Sequence, residues 1–163
     1  MIAATMSLYS KLAAAAKGFV ESTRPAEPGT NKSNDELIRS TVAPDFRMTW
    51  GPSTLISGKP ALNKAVDIDG FLSHLSDMQP NLDTWEIEVK KVYTDVETRE
   101  AVVRADFYMT PKGQKTVLND IVFFLKMDES GEKVVEGVEY IDGEASKIIA
   151  QEIKAGKEER GEA

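Results

Sequence analysis

LNDIVFFLKMDESGEKVVEGVEYID, residues 118–142, alternates apolar and polar side chains on both sides of a glycine-containing turn. That pattern reads as a β-hairpin. Successive side chains of a strand point to opposite faces, so odd and even positions form separate sets. The odd set holds Asn119, Ile121, Phe123, Leu125 and Met127 before the turn, and Val135, Gly137, Glu139 and Ile141 after it. Nearly all are apolar, as for a face turned toward a core. Glu139 is out of place there, because burying a carboxylate is costly unless something pairs with it or uses it.

The same period of two extends upstream. TWEIEVKKV (84–92) and AVVRADFYMT (101–110) alternate in the same way, with Trp85, Ile87, Val89, Val103, Ala105, Phe107 and Met109 in their odd sets. If Pro111 faces Lys115, Phe107 lies opposite Asn119. If Met127 faces Lys133, Ile121 lies opposite Glu139, and Asn119 opposite Ile141. Both registers keep odd beside odd and make Asn119 and Glu139 near-diagonal neighbours. Either the two bond each other or the backbone inside a core, or they project into a cavity. An apolar pocket with a few convergent polar groups is the usual form of a small-molecule site. Desolvation there would raise the pKa of Glu139 and suit it to exchange protons near neutrality.

The even face carries charges, but Val102, Tyr108, Leu118, Val122, Phe124, Val138 and Tyr140 form an apolar strip among them. Contiguous apolar surface marks a partner. A homodimer joined through this outer sheet face is the simplest reading, with cover by the chain's own tail as the alternative.

Before the strands the period is helical. Residues 6–22 place Leu8, Leu12, Ala15, Ala16 and Phe19 on one face. STRPAEPGTNKS is a linker. Ser33 and Glu36 fit a capping box opening a short second helix that ends near Pro44. FRMTW (46–50) reads as a short strand and GPSTLISGKP (51–60) as a loop. A third helix spans about 69–78, with Asp67 and Asp69 as ordinary capping residues, and Pro80 stops it. After the meander, Asp142 caps a terminal helix from Gly143 to about Lys157. The organisation is an N-terminal helix and linker (1–33), an α+β domain (34–157) and a frayed tail (158–163), with helices on one face of a curved sheet.

Composition narrows the chemistry. The chain has 163 residues, 41% of them apolar, and a net charge of −7. One domain with a real core fits that length. The acidic balance disfavours nucleic acid or an anionic membrane as partner. There is no cysteine and one histidine, His74, which excludes disulfides and thiol nucleophiles and makes multi-histidine metal sites hard to build. No segment approaches the roughly 20 apolar residues that span a bilayer, and the N-terminus lacks the basic start of a secretion signal. A cytoplasmic protein is the expectation.

VAPDFRMTW (42–50), the 118–142 hairpin and GEASKII (143–149), in that order, resemble the SnoaL-like branch of the nuclear transport factor 2-like superfold. The resemblance covers residues 34–150. It is most similar to fungal isomerases and cyclases of secondary metabolism, meroterpenoid cyclases and semipinacolases among them. It implies an α+β fold in which a cone-shaped, curved antiparallel sheet wraps on N-terminal helices and is followed by a C-terminal helix. It implies a deep cavity, frequent dimerisation, and acid–base rearrangement with no metal and no organic cofactor. The substrate class it implies is a polyketide, terpenoid or indole-alkaloid intermediate. By the same resemblance Glu139 falls on the glutamate of the final-strand motif. Asn119, followed by Asp120, falls on the asparagine of an N-acidic-aromatic motif. Arg47 is the nearest match to an arginine that activates the substrate oxygen. Two tyrosines of related members fall on Val117 and Ile121, a departure that leaves the particular reaction open.

The expected site therefore consists of Glu139 exchanging a proton, Asn119 and Arg47 polarising an oxygen, and His74 assisting. Trp50, Phe107, Val117, Ile121 and Phe123 are the expected substrate-facing wall, and Asp120 is the alternative base if the register slips. A non-catalytic binding or dimerisation module of the same fold, and a dehydratase with the same pocket, are the other two readings.

Overall fold

The structure is a computed structural model that describes residues 6–162. The first five residues of the N-terminal segment and the last residue of the tail lie outside the described residues. The chain forms α1 (Leu8–Ser22), α2 (Asp35–Ser40), β1 (Val42–Gly51), α3 (Ser53–Ile56), α4 (Ile68–Met78), β2 (Leu82–Asp95), β3 (Glu100–Pro111), β4 (Val117–Met127), β5 (Val134–Tyr140) and α5 (Gly143–Glu159). The five strands make one curved, unclosed sheet in the order β1-β5-β4-β3-β2. It is antiparallel except for the β1–β5 pair, which is parallel. Three hairpins turn the chain from β2 to β5, and α4 reverses it between β1 and β2, so β1 and β5 run the same way.

Each longer helix begins at a side-chain cap, which satisfies backbone N–H groups that have no partner within the helix. The Ser7 hydroxyl accepts from Ser10 N–H, Asp67 from Gly70 N–H, and Asp142 from Glu144 and Ala145 N–H. At α2 the expected capping box is not formed. The cap is Asn34, which accepts from Leu37 N–H, while Ser33 donates to Asp35 instead. The short strand expected over 46–50 is ten residues long, because β5 supplies it with a partner along most of its length. The loop expected over 51–60 includes the single turn of α3.

The core lies between the concave face of the sheet and α1, α4 and α5. Phe19 of α1 is fully buried, and its ring meets Phe46 of β1 at 5.8 Å, Phe71 of α4 at 5.9 Å and Phe123 of β4 at 6.4 Å. One aromatic side chain thus ties together four elements, and burying it is worth about 1.5–3 kcal/mol.

The β3–β4 register has Phe107 opposite Asn119, as expected with Pro111 facing Lys115. The β4–β5 register differs from expectation. Phe123, not Ile121, lies opposite Glu139. The turn after Met127 pairs Asp128 with Lys133 through the backbone, and a bulge at Val135 then adds one residue. The two changes together move the register by two, so odd still faces odd from Gly137 onward. Val134, rather than Val135, points into the core before the bulge. Lys90 makes a similar bulge in β2, after which Val92 instead of an odd residue faces inward opposite Val103.

The convex face stays open. Tyr93, Val102, Phe124 and Val138 form one row across four strands, and Phe124 and Tyr140 are 48% and 45% exposed with their rings 5.5 Å apart. Helix α5 packs on the opposite, concave side, so the chain's own C-terminal helix does not cover this face. No helix among the described residues is long and apolar enough to cross a membrane.

Candidate active site

A cavity of about 230 Å³ lies between the concave sheet face, α4 and α5. Phe107, Ile121 and Phe123 form its floor, Phe71, Leu75 and Met78 one wall, and Ile149 and Ile153 the other. The α4 residues recur at helical spacing, and Ile149 and Ile153, four apart on α5, follow the same rule. The polar groups on this surface are few: Glu139, His74, Asn119, Lys59, Ser146 and Thr23.

Glu139 stands on β5, between Phe123 of β4 and Trp50 of β1, and opens onto the cavity. Its lateral neighbour in the parallel pair is Trp50, whose indole Nε1 donates to Oε2 at 3.0 Å. Desolvation pushes its pKa up to about 7, and the Trp50 bond opposes this without cancelling it. A carboxyl group poised near neutrality can both give and take a proton.

His74, on α4, also lines the cavity and sits edge-on to Trp50, with ring centroids 5.1 Å apart. Burial lowers its pKa, Asp77 raises it and Lys59 lowers it. The imidazole is therefore mainly neutral at pH 7. Glu139, Trp50 and His74 form one contiguous group: acid, donor and neutral imidazole.

The remaining expected residues divide. Asn119 is buried and lines the cavity, but it does not bond Glu139. With Phe123 opposite Glu139, Asn119 is four positions back along β4, roughly 13 Å at strand spacing. Among the described residues its Oδ1 has no hydrogen-bond partner and its Nδ2 has only Met109 Sδ at 4.0 Å. Arg47 is not at the site. The inward residues of β1 are Phe46, Met48 and Trp50, so Arg47 projects outward, lies beside Glu136 and donates to the Phe46 carbonyl. No hairpin links β1 to a neighbour, so the odd–even rule read from the meander had nothing to carry it to this strand. Phe107, Ile121 and Phe123 face the cavity as expected. Trp50 backs Glu139 rather than lining the wall, and Val117 packs against the edge of the core outside the cavity. Asp120 is not a base candidate. Arg104 Nη2 donates to its Oδ2 at 2.6 Å on the outer face and holds its pKa below the usual value. Among the described residues no group of three His, Asp or Glu side chains is placed to hold a metal ion.

No known family model matches the sequence, and no curated protein is significantly similar to it. Solved structures with the same fold are numerous. The BvnE pinacolase from Penicillium brevicompactum superposes with a TM-score of 0.73 at 14% identity, covering 94% of this chain and 99% of that one. PrhC from Penicillium brasilianum gives 0.74 at 12% identity, with 96% of each chain covered. A SnoaL-like polyketide cyclase from a Jannaschia species gives 0.66 at 16%, with 94% and 98% covered. The chain has the SnoaL-like, nuclear transport factor 2-like fold. At these identities the likeness establishes architecture, and fold alone does not fix chemistry.

Proposed function

We propose that this chain is an isomerase or cyclase that works by acid–base catalysis on an apolar secondary-metabolite intermediate, with no cofactor in the proton transfer. The observation that carries this reading is Glu139, a carboxyl group hydrogen-bonded by Trp50 and opening onto an apolar cavity. In this reading Glu139 removes a proton from a carbon or oxygen of the substrate and returns it at another position. Trp50 steadies the carboxylate while it is charged, and the neutral His74 imidazole donates to, or accepts from, a substrate oxygen. The apolar walls hold the substrate in a reactive shape and exclude water. The pinacolase and polyketide cyclase of the same fold are consistent with rearrangement chemistry in such a cavity.

The test is proton exchange into an enolisable bicyclic ketone, β-tetralone, in D₂O, followed by NMR. Wild-type protein accelerates deuterium uptake beside the carbonyl, and Glu139→Gln loses about 10²–10⁴-fold of that rate. Equal rates for the two proteins would remove the enzymatic reading and leave a binding module. With a natural substrate, a product of unchanged mass supports isomerisation, and loss of water identifies a dehydratase.

We also infer that a second copy of the chain covers the convex face. Its apolar row is bordered by acids (Glu100, Glu136, Asp120) and bases (Lys126, Arg104) in alternation. A two-fold pairing of identical faces can set each sign against the other.

A further inference from the structure

Lys59 lines the cavity together with Glu139 and His74, and no sequence pattern marked it. It lies in the segment between α3 and the turn Pro60–Leu62. Its backbone is pinned on both sides: its N–H donates to the Ile56 carbonyl and its carbonyl accepts from Leu62 N–H, both at 2.9 Å. The side chain is half-buried. Among the described residues its ammonium group forms none of the ion pairs and none of the side-chain hydrogen bonds, although the chain has 27 acidic residues to 20 basic ones. Its charge reaches the site, since it opposes protonation of His74. The other titratable side chains lining the cavity with it are His74 of α4 and Glu139 of β5, and Asp77 of α4 also acts on His74.

A partly desolvated cation without a protein counter-ion is an incomplete arrangement. A bound molecule completes it if it brings an anionic oxygen, and a charge-assisted hydrogen bond to an ammonium group is among the stronger polar contacts available. A ligand bearing a cation would be repelled from the same place. The rest of the wall is apolar, so the ligand's body must be apolar too.

We propose that Lys59 is a specificity-determining residue that holds a carboxylate of the substrate, so that the cavity selects apolar carboxylic acids over neutral molecules of the same shape. This rests on the cavity being the ligand site, as the proposed function has it. It adds a substrate class that Glu139 and His74 do not determine. Glu139 in its neutral form tolerates a ligand carboxylate in the same cavity.

Two matched probes test it: naphthoate, and naphthamide as its neutral counterpart. Binding is followed through the fluorescence of Trp85, which lines the cavity, and of Trp50 beside it. The titration is run at about pH 6, where an aromatic acid is ionised and Glu139, with a pKa of about 7, is mostly protonated. Wild-type protein is expected to bind naphthoate at least about tenfold more tightly than naphthamide. Lys59→Met removes that preference, leaving naphthamide affinity and melting temperature as they were, and Lys59→Arg restores it. Equal affinity of wild-type protein for the two probes, or a preference that survives Lys59→Met, overturns the assignment of Lys59 and leaves the role of Glu139 standing. Failure of both probes to bind at millimolar concentration overturns the cavity as a ligand site, and both proposals with it.

Discussion

Burial pushes the pKa of Glu139 up to about 7, and the hydrogen bond from Trp50 pulls it back. The folded protein therefore holds this proton over a range where the unfolded chain releases it. Stability from this group is complete below the unfolded value, near 4.5, and is lost as pH rises through about 7. Over that window the loss amounts to about 3 kcal/mol as an order of magnitude. His74 works the other way: its lowered pKa gives stability that is present above its ordinary value near 6.5 and lost as pH falls. The comparison of Glu139→Gln with wild type isolates the first effect. The variant is expected to melt at a similar temperature at pH 4.5 and clearly higher at pH 8, as thermal unfolding at the two pH values would reveal. Trp50→Phe removes the indole donor that favours the carboxylate, so the pKa of Glu139 rises further. The midpoint of its pH–rate profile in the tetralone exchange should move to higher pH, which a profile from pH 5 to 9 would detect.

Gly137 of β5 shows how a strand is fitted to its neighbour. A Cβ at this inward position would lie 2.6 Å from Met48 Sδ and 3.2 Å from Leu125 Cδ2. Gly137→Ala is expected to destabilise the protein by about 1–3 kcal/mol through overpacking. The penalty should shrink in a Met48→Ala background, which chemical denaturation in a double-mutant cycle would measure. The inward face of the meander was legible in the sequence because each hairpin passes its parity to the next strand. Phe107 opposite Asn119 followed from that alone. Two features were not legible. The Val135 bulge lies within an unbroken apolar pair, Val134–Val135, with nothing to mark which residue is extra. The facing of Arg47 depends on a parallel partner almost ninety residues away. So the inward facing of Glu139 could be read, Asn119 was placed too close to it, and the facing of Arg47 stayed open until β1 was seen beside β5. Trp50 was expected in the substrate-facing wall, and its bond to Glu139 appears only once β1 lies beside β5.

The layers of the molecule leave its two sheet faces with different tasks. The concave face is covered by helices and holds the cavity, while the convex face exposes Phe124, Tyr140, Leu118 and Tyr93. A sheet-to-sheet dimer is expected in solution. Phe124→Glu places a charge in the middle of the apolar row and should yield a monomer of unchanged far-UV circular dichroism, as light scattering coupled to size-exclusion chromatography would measure. The same substitution lies on the opposite side of β4 from Phe123 and the cavity, so naphthoate binding should survive it.

The indole–carboxyl bond spans 89 residues of sequence and joins the first strand of the sheet to the last. On a ribosome the donor emerges well before its acceptor has been translated, and for that interval β1 has only the Met48–Val66 bridge and no neighbouring strand. Hairpins β2–β3 and β3–β4 close over short loops and can form earlier. The Glu139–Trp50 pair is thus among the last parts of the sheet to assemble. A message cut short between codons 128 and 134 would yield a product with four of its five strands and no means of assembling the site.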